Sequence, residues 1–138
     1  MITAVDTTVI LDVVVNDSRF ESASEEALRQ AATEGKLVVC DCVVAEVFPA
    51  IGDINRFAQF FEDWQFEYSP ISYESALLAG RYFSAYLGRG GDAKRVLPDF
   101  LIGAHASYAA DRLLARDRGY LRDYFTSLSL WNPSSSAD

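Results

Sequence analysis

The sequence has one histidine, His105, two cysteines, Cys40 and Cys42, and two lysines, Lys36 and Lys94. A single histidine with no evident nucleophile partner argues against Ser-His or Cys-His triad chemistry. With only two cysteines it also cannot complete a four-ligand zinc set. His105 lies six positions after Asp99, well around a helix from it, so a structural or exposed role is expected. Cys40 and Cys42 flank Asp41, and a disulfide between residues so close would be strained; both are read as buried, reduced thiols. No apolar run is long enough to cross a bilayer. The start, Met1-Ile2-Thr3-Ala4-Val5-Asp6, lacks a basic region and meets an acid at once, so a cytoplasmic protein without a membrane partner is expected.

Positive charge is also scarce: 12 Lys and Arg stand against 20 Asp and Glu, a formal net charge of -8. That balance argues against a simple nucleic-acid-binding module. The distribution is uneven, however. Residues 1–80 carry four basic against fourteen acidic side chains, while residues 81–138 carry eight against six. The cations Arg89, Lys94, Arg95, Arg112, Arg116, Arg118 and Arg122 therefore share the half of the chain that holds Asp99 and Asp117, where a polyanion could be held beside the acids.

With 138 residues, half of them hydrophobic, the chain fits one domain with a full core. Short apolar runs alternate with helical patterns. Strands are expected at Ile2 to Val5, Leu37 to Cys40, Phe66 to Tyr68, Arg112 to Ala115 and, by alternation, Phe125 to Trp131. Between them, Ser22-Ala23-Ser24-Glu25 reads as a capping box for a helix closed by Gly35. Asp41 reads as the cap of a helix carrying Glu46 that Pro49 and Gly52 end or kink. Ile54, Phe57, Phe61 and Trp64 recur at helical spacing with Phe60 beside their stripe, a wide apolar face suited either to the core or to a partner. Ser72 begins a long helix, Asp99 opens the next, and Asp117 starts a short helical turn. The expected domain spans residues 1–131, followed by a flexible tail, 132–138. The implied class is α/β, a mainly parallel sheet covered on both faces.

In right-handed βαβ units helix N-termini lie at the same edge as strand C-termini, so Asp6, Glu46, Asp99 and Asp117 fall together where open sheets bind ligands. Taken singly, each of the three aspartates reads more readily as a helix cap; Glu46 stands in the apolar segment Val43-Val44-Ala45-Glu46-Val47-Phe48, where a carboxylate is costly unless paired or coordinated, or else lies on an exposed stripe beside Ala45 and Pro49. Acids gathered in one cleft repel unless a cation sits among them, and hard oxygen ligands favour Mg²⁺ or Mn²⁺. Metal-dependent phosphodiester chemistry is the leading expectation. A phosphoacceptor receiver domain would share the length, the alternation and the acids, but needs a lysine after the last strands; Lys36 and Lys94 come too early.

Val5-Asp6-Thr7 with Leu11-Asp12, Val44-Ala45-Glu46-Val47, Asp99-Phe100-Leu101-Ile102-Gly103-Ala104-His105-Ala106 and Leu113-Leu114-Ala115-Arg116-Asp117 give a chain that resembles the PIN-domain ribonucleases, and more closely the VapC toxins of bacterial toxin-antitoxin pairs. The resemblance covers residues 1 to about 131. It implies a three-layer α/β/α fold and an acidic site on Asp6, Glu46, Asp99 and Asp117 that is both catalytic and metal-binding. It further implies Mg²⁺ or Mn²⁺ as cofactor, an RNA substrate cut by hydrolysis, a small antitoxin that covers the site, and a homodimer. Thr7 matches the family's hydroxyl after the first Asp. Two positions depart from the pattern: Ala115 stands where a Thr or Ser is usual, and Thr8 where Asn is frequent. The missing hydroxyl at Ala115 keeps open a second expectation, a catalytically weakened PIN-like binding module.

Overall fold

Strand–helix alternation builds a five-stranded sheet in the computed structural model, which describes residues 1–92, 96–116 and 119–133. The elements are β1 (Ile2–Val5), α1 (Thr7–Val14), α2 (Glu21–Glu34), β2 (Lys36–Val39), α3 (Asp41–Ile51), α4 (Ile54–Trp64), β3 (Phe66–Tyr68), α5 (Tyr73–Gly88), α6 (Leu97–Ala109), β4 (Arg112–Leu114), α7 (Tyr120–Tyr124) and β5 (Leu130–Trp131). The strand order is β3-β2-β1-β4-β5, and every pairing is parallel.

That order moves outward from β1 in one direction and then returns to its other side. Right-handed crossovers therefore put α1 to α4 on one face and α5 to α7 on the other. The packing agrees: α1 touches α2 and α3, α3 touches α4, α5 packs along α6, and α6 meets α7. The result is a three-layer α/β/α domain whose order reverses between β1 and β4, the point at which open parallel sheets leave a crevice at their C-terminal edge.

β1 lies at the centre, with Ala4 opposite Val38 on one side and Leu113 on the other. Strands buried on both faces need near-continuous apolar sequence, and Ala4, Val5, Leu37, Val38, Val39, Leu113 and Leu114 are all buried. Gly103 permits a close approach on the α6 side: a Cβ there would come within 2.6 Å of the Phe125 ring and 2.7 Å of Leu121.

Several expected boundaries shift for identifiable reasons. The capping box does not form. α2 starts at Glu21, which puts Ser22 inside the helix rather than at its cap, and Ser24 donates to Asp12 inside the domain. Cys40, not Asp41, is the residue before α3, which continues through Pro49 to Ile51 before Gly52 closes it in the left-handed region. Asp99 stands in the first turn of α6 rather than at its cap. The last strand contracts to Leu130–Trp131, because Phe125 is drawn into the core beside Gly103. The helical turn expected from Asp117 is observed as α7, Tyr120–Tyr124; Asp117 itself, and the tail from 134 onward, lie outside the described residues.

Candidate active site

Asp6 follows β1 directly and serves as the N-cap of α1, accepting a hydrogen bond from the Thr8 backbone N–H at 3.0 Å. Its carboxylate is only 4% exposed, and the Thr8 hydroxyl donates a short hydrogen bond to the same Oδ2. Burial pushes the Asp6 carboxyl above the usual carboxylate range; the Thr8 bonds oppose that shift and the Glu46 charge adds to it.

Glu46 reaches this region from α3. Thr7 Oγ1 donates to Glu46 Oε1 at 2.6 Å, tying α3 to the start of α1. Although its sequence neighbours are apolar, Glu46 stands on an exposed stripe: Val43 and Val47 take the inner face of α3 and are buried, whereas Glu46 is exposed. Helical spacing explains the difference, since Glu46 lies about 100° from Val47 on the helix. Cys42, one turn before Glu46, carries a thiol pushed up to about 12 by burial and by the Glu46, Cys40, Asp41 and Asp6 charges. Both cysteines are free thiols, Cys40 buried and Cys42 half-buried.

Asp99 is half-buried on α6, and α6 contacts α3 across the sheet edge. Asp6 and Glu46 are thus brought together, with Asp99 carried by an element touching the one that bears Glu46. Among the described residues no group of three or more His, Cys, Asp or Glu converges closely enough to hold a metal ion. His105 is buried, with Nε2 2.9 Å from Ser69 Oγ, so its role is structural, as expected.

An ion pair that the sequence reading did not anticipate borders the acids. Arg116 grips Asp12 through two parallel bonds, Nε to Oδ2 at 2.9 Å and Nη2 to Oδ1 at 2.7 Å. Asp12 is 2% exposed and also accepts from Ser24 Oγ at 2.7 Å. The Arg116 guanidinium lies over the Phe20 ring, 4.0 Å from its centroid. Arg116, counted by sequence among cations that could hold a polyanion, thus has its charge matched within the protein. The signal was available in Leu11-Asp12-Val13, an acid inside an apolar helix that requires a cation.

A divalent cation suits the donors present. Two carboxylates meet here, one of them raised first by its burial and further by the other's charge, beside a threonine hydroxyl; all are hard oxygen donors. Mg²⁺ is commonly held by one or two carboxylates with water completing its octahedron.

Solved structures share this fold. It resembles VapBC2 from Rickettsia felis bound to a promoter DNA fragment, with a TM-score of 0.71 and 17% identity over 96% of this chain and 100% of that one. It resembles VapBC-1 from nontypeable Haemophilus influenzae with a TM-score of 0.69 and 18% identity over 98% and 100%. For FitAcB from Neisseria gonorrhoeae the TM-score is 0.67 and the identity 18% over 97% and 99%. At such identities the likeness is one of fold. No curated protein matches the sequence. The sequence profile of the PIN domain matches residues 3–124, nearly the whole chain, and the protein belongs to the PIN domain family.

Proposed function

We propose that the protein is a VapC-type toxin, a Mg²⁺- or Mn²⁺-dependent endoribonuclease silenced by a small antitoxin. The observation that carries this reading is the meeting of a buried Asp6 with Glu46 through Thr7 at the point where the strand order reverses. Two acids brought together in a partly desolvated crevice are costly unless they serve to bind a cation. Asp6, Glu46, Asp99 and Asp117 are assigned as the residues that would hold it.

A metal ion bound there would acidify a coordinated water and offset charge developing on the scissile phosphate. The protein's part is positional. Thr7 holds Glu46, Thr8 holds Asp6, and α6 bears Asp99 in its first turn. RNA is the assigned substrate because hydrolysis of a phosphodiester is the chemistry that such acids support and that the PIN resemblance implies.

Structural neighbours are VapBC and FitAcB complexes, which supports an antitoxin as partner. A surface suited to it is a groove of about 390 Å³ lined by Val13, Val14, Ala50, Ile51, Arg56 and Phe60. No α4 residue is fully buried, and Phe57, Phe60, Phe61 and Trp64 each remain partly accessible. A homodimer and a cytoplasmic site of action belong to the same proposal; no helix among the described residues is long and apolar enough to cross a membrane.

The second reading, a weakened PIN-like binding module, is favoured by Ala115, buried and without a hydroxyl at the exit of β4. Purified, antitoxin-free protein incubated with RNA across a Mn²⁺ titration separates the two. Cleavage that needs metal supports the nuclease, and RNA that is bound but uncut at every metal concentration supports the module.

A further inference from the structure

One chain of contacts crosses the reversal point between β1 and β4. Beyond the Asp12 ion pair, the backbone N–H of Arg116 donates to Thr8 Oγ1 at 3.2 Å, and that hydroxyl donates onward to Asp6 Oδ2. A threonine hydroxyl has one proton. With the Arg116 N–H directed at its oxygen, that proton is turned towards the carboxylate, where a hydrogen bond to an ionised acceptor is strongest. The Arg116 backbone is in turn held by its own side chain. Both arms of the fork are engaged by Asp12, Asp12 is fixed by Ser24 of α2, and Phe20 covers the guanidinium. Since the fork is engaged inside the domain, its contribution to the site is geometric.

Resting on the metal-nuclease reading above, we propose that Arg116 and Thr8 are positioning residues forming a latch that orients the Asp6 carboxylate for a divalent cation. The latch links the exit of β4 to the start of α1, the two segments that flank the crevice. Its loss leaves Asp6 Oδ2 held by the Thr8 backbone N–H alone, so the carboxylate is less firmly oriented and cation binding weakens.

The test compares wild type with Thr8→Val, which keeps the side-chain shape and removes the hydroxyl, with Thr8→Ser, which restores it, and with Arg116→Ala. Mn²⁺ affinity is measured by calorimetry on RNA-free protein, and kcat and KM for RNA cleavage are measured separately. Outer-shell partners of metal ligands typically account for about 10- to 100-fold in affinity or activity. Thr8→Val is expected to weaken Mn²⁺ binding by that amount and to lower kcat with KM for RNA unchanged at saturating Mn²⁺, and Thr8→Ser is expected to recover most of both. Thermal melts identify any unfolded variant, and Thr8→Val carries the decision if Arg116→Ala does not fold. Thr8→Val with wild-type Mn²⁺ affinity and kcat would overturn the latch while leaving the nuclease reading intact. Wild type that neither binds Mn²⁺ nor cleaves RNA would overturn both.

Discussion

Thr7 Oγ1 donates to Glu46 Oε1 at 2.6 Å, joining the first turn of α1 to the middle of α3 and holding the Glu46 carboxylate beside buried Asp6. Replacing Thr7 with Val removes the donor while keeping the shape. The expected result is a loss of stability of about 1 kcal/mol, the usual net value of such a bond, with a larger proportional loss of metal-dependent cleavage. Urea melts and cleavage rates of the same preparation check the two effects together.

Asp6 links metal binding to stability. Its carboxyl is raised above the ordinary 3.8, first by burial, so the folded state resists the ionised form that the unfolded chain accepts. The sign follows: in metal-free protein Asp6 contributes a penalty that grows as pH rises from the ordinary value through the folded one. Asp6→Asn is expected to melt no lower than wild type in EDTA. Millimolar Mg²⁺ should raise the wild-type melting temperature, a ligand at 100 times its Kd giving about 2.7 kcal/mol, and should raise that of Asp6→Asn less. Coincident wild-type melts with EDTA and Mg²⁺ would count against a metal site.

The Asp12–Arg116 pair makes an asymmetric stability prediction. Arg116→Ala leaves a carboxylate that is 2% exposed without its guanidinium, and breaking a buried pair from one side costs about 3–5 kcal/mol. The double variant Asp12→Leu with Arg116→Met, which removes both charges, is expected to recover much of that loss. Chemical denaturation of the single and double variants checks it; equal destabilisation would show that the charge pairing is not what matters.

His105 sets a pH dependence of the opposite sign to that of Asp6. Burial lowers its pKa below the ordinary 6.5, with the Asp41 charge and the Ser69 contact acting against the shift. The contribution is complete above pH 6.5, where neither state is protonated. It is lost as pH falls through the folded pKa, because the unfolded chain takes up the proton first. Melting temperatures from pH 7.5 down to 5 should fall more steeply for wild type than for His105→Gln.

Phe60 distinguishes a core from an interface role for α4. It lies 5.9 Å from the Phe66 ring and also lines the groove with Val13 and Ile51. If the groove receives the antitoxin, Phe60→Ser should cost little stability in the isolated protein yet weaken the complex by about 1 kcal/mol or more. A loss of about 3–5 kcal/mol in the monomer, with binding at wild-type strength, would assign Phe60 to the core.

The elements read most accurately from sequence were those governed by local chemistry. β1, β3 and α4 have the expected bounds because an apolar run ended by an acid, a short aromatic strand and a strict helical repeat each carry their own signal. Tertiary demands displaced the rest. Ser24 turns inward to give buried Asp12 a second donor, in a helix that begins ahead of the expected cap Ser22, and Phe125 left its strand for the space that Gly103 opens. At the site, the sequence placed Asp6 at the end of β1 and Glu46 on its helix but could not show Thr7 as the partner of Glu46 or the Arg116 backbone as the partner of Thr8. Hydrogen bonds across 39 or 108 positions leave no local pattern. For the same reason Arg116 looked like a surface cation.

The most direct measurement is RNA cleavage by purified, antitoxin-free protein, titrated with Mn²⁺ and quenched with EDTA, for wild type beside Asp99→Asn. Asp99 lies in the first turn of a well-formed α6, so loss of its charge should leave the fold in place, as circular dichroism would verify. Metal-dependent phosphodiester chemistry at these acids requires cleavage by wild type that rises with Mn²⁺, stops with EDTA and is abolished in the folded variant. Cleavage that persists in EDTA, or that Asp99→Asn retains in full, would contradict it.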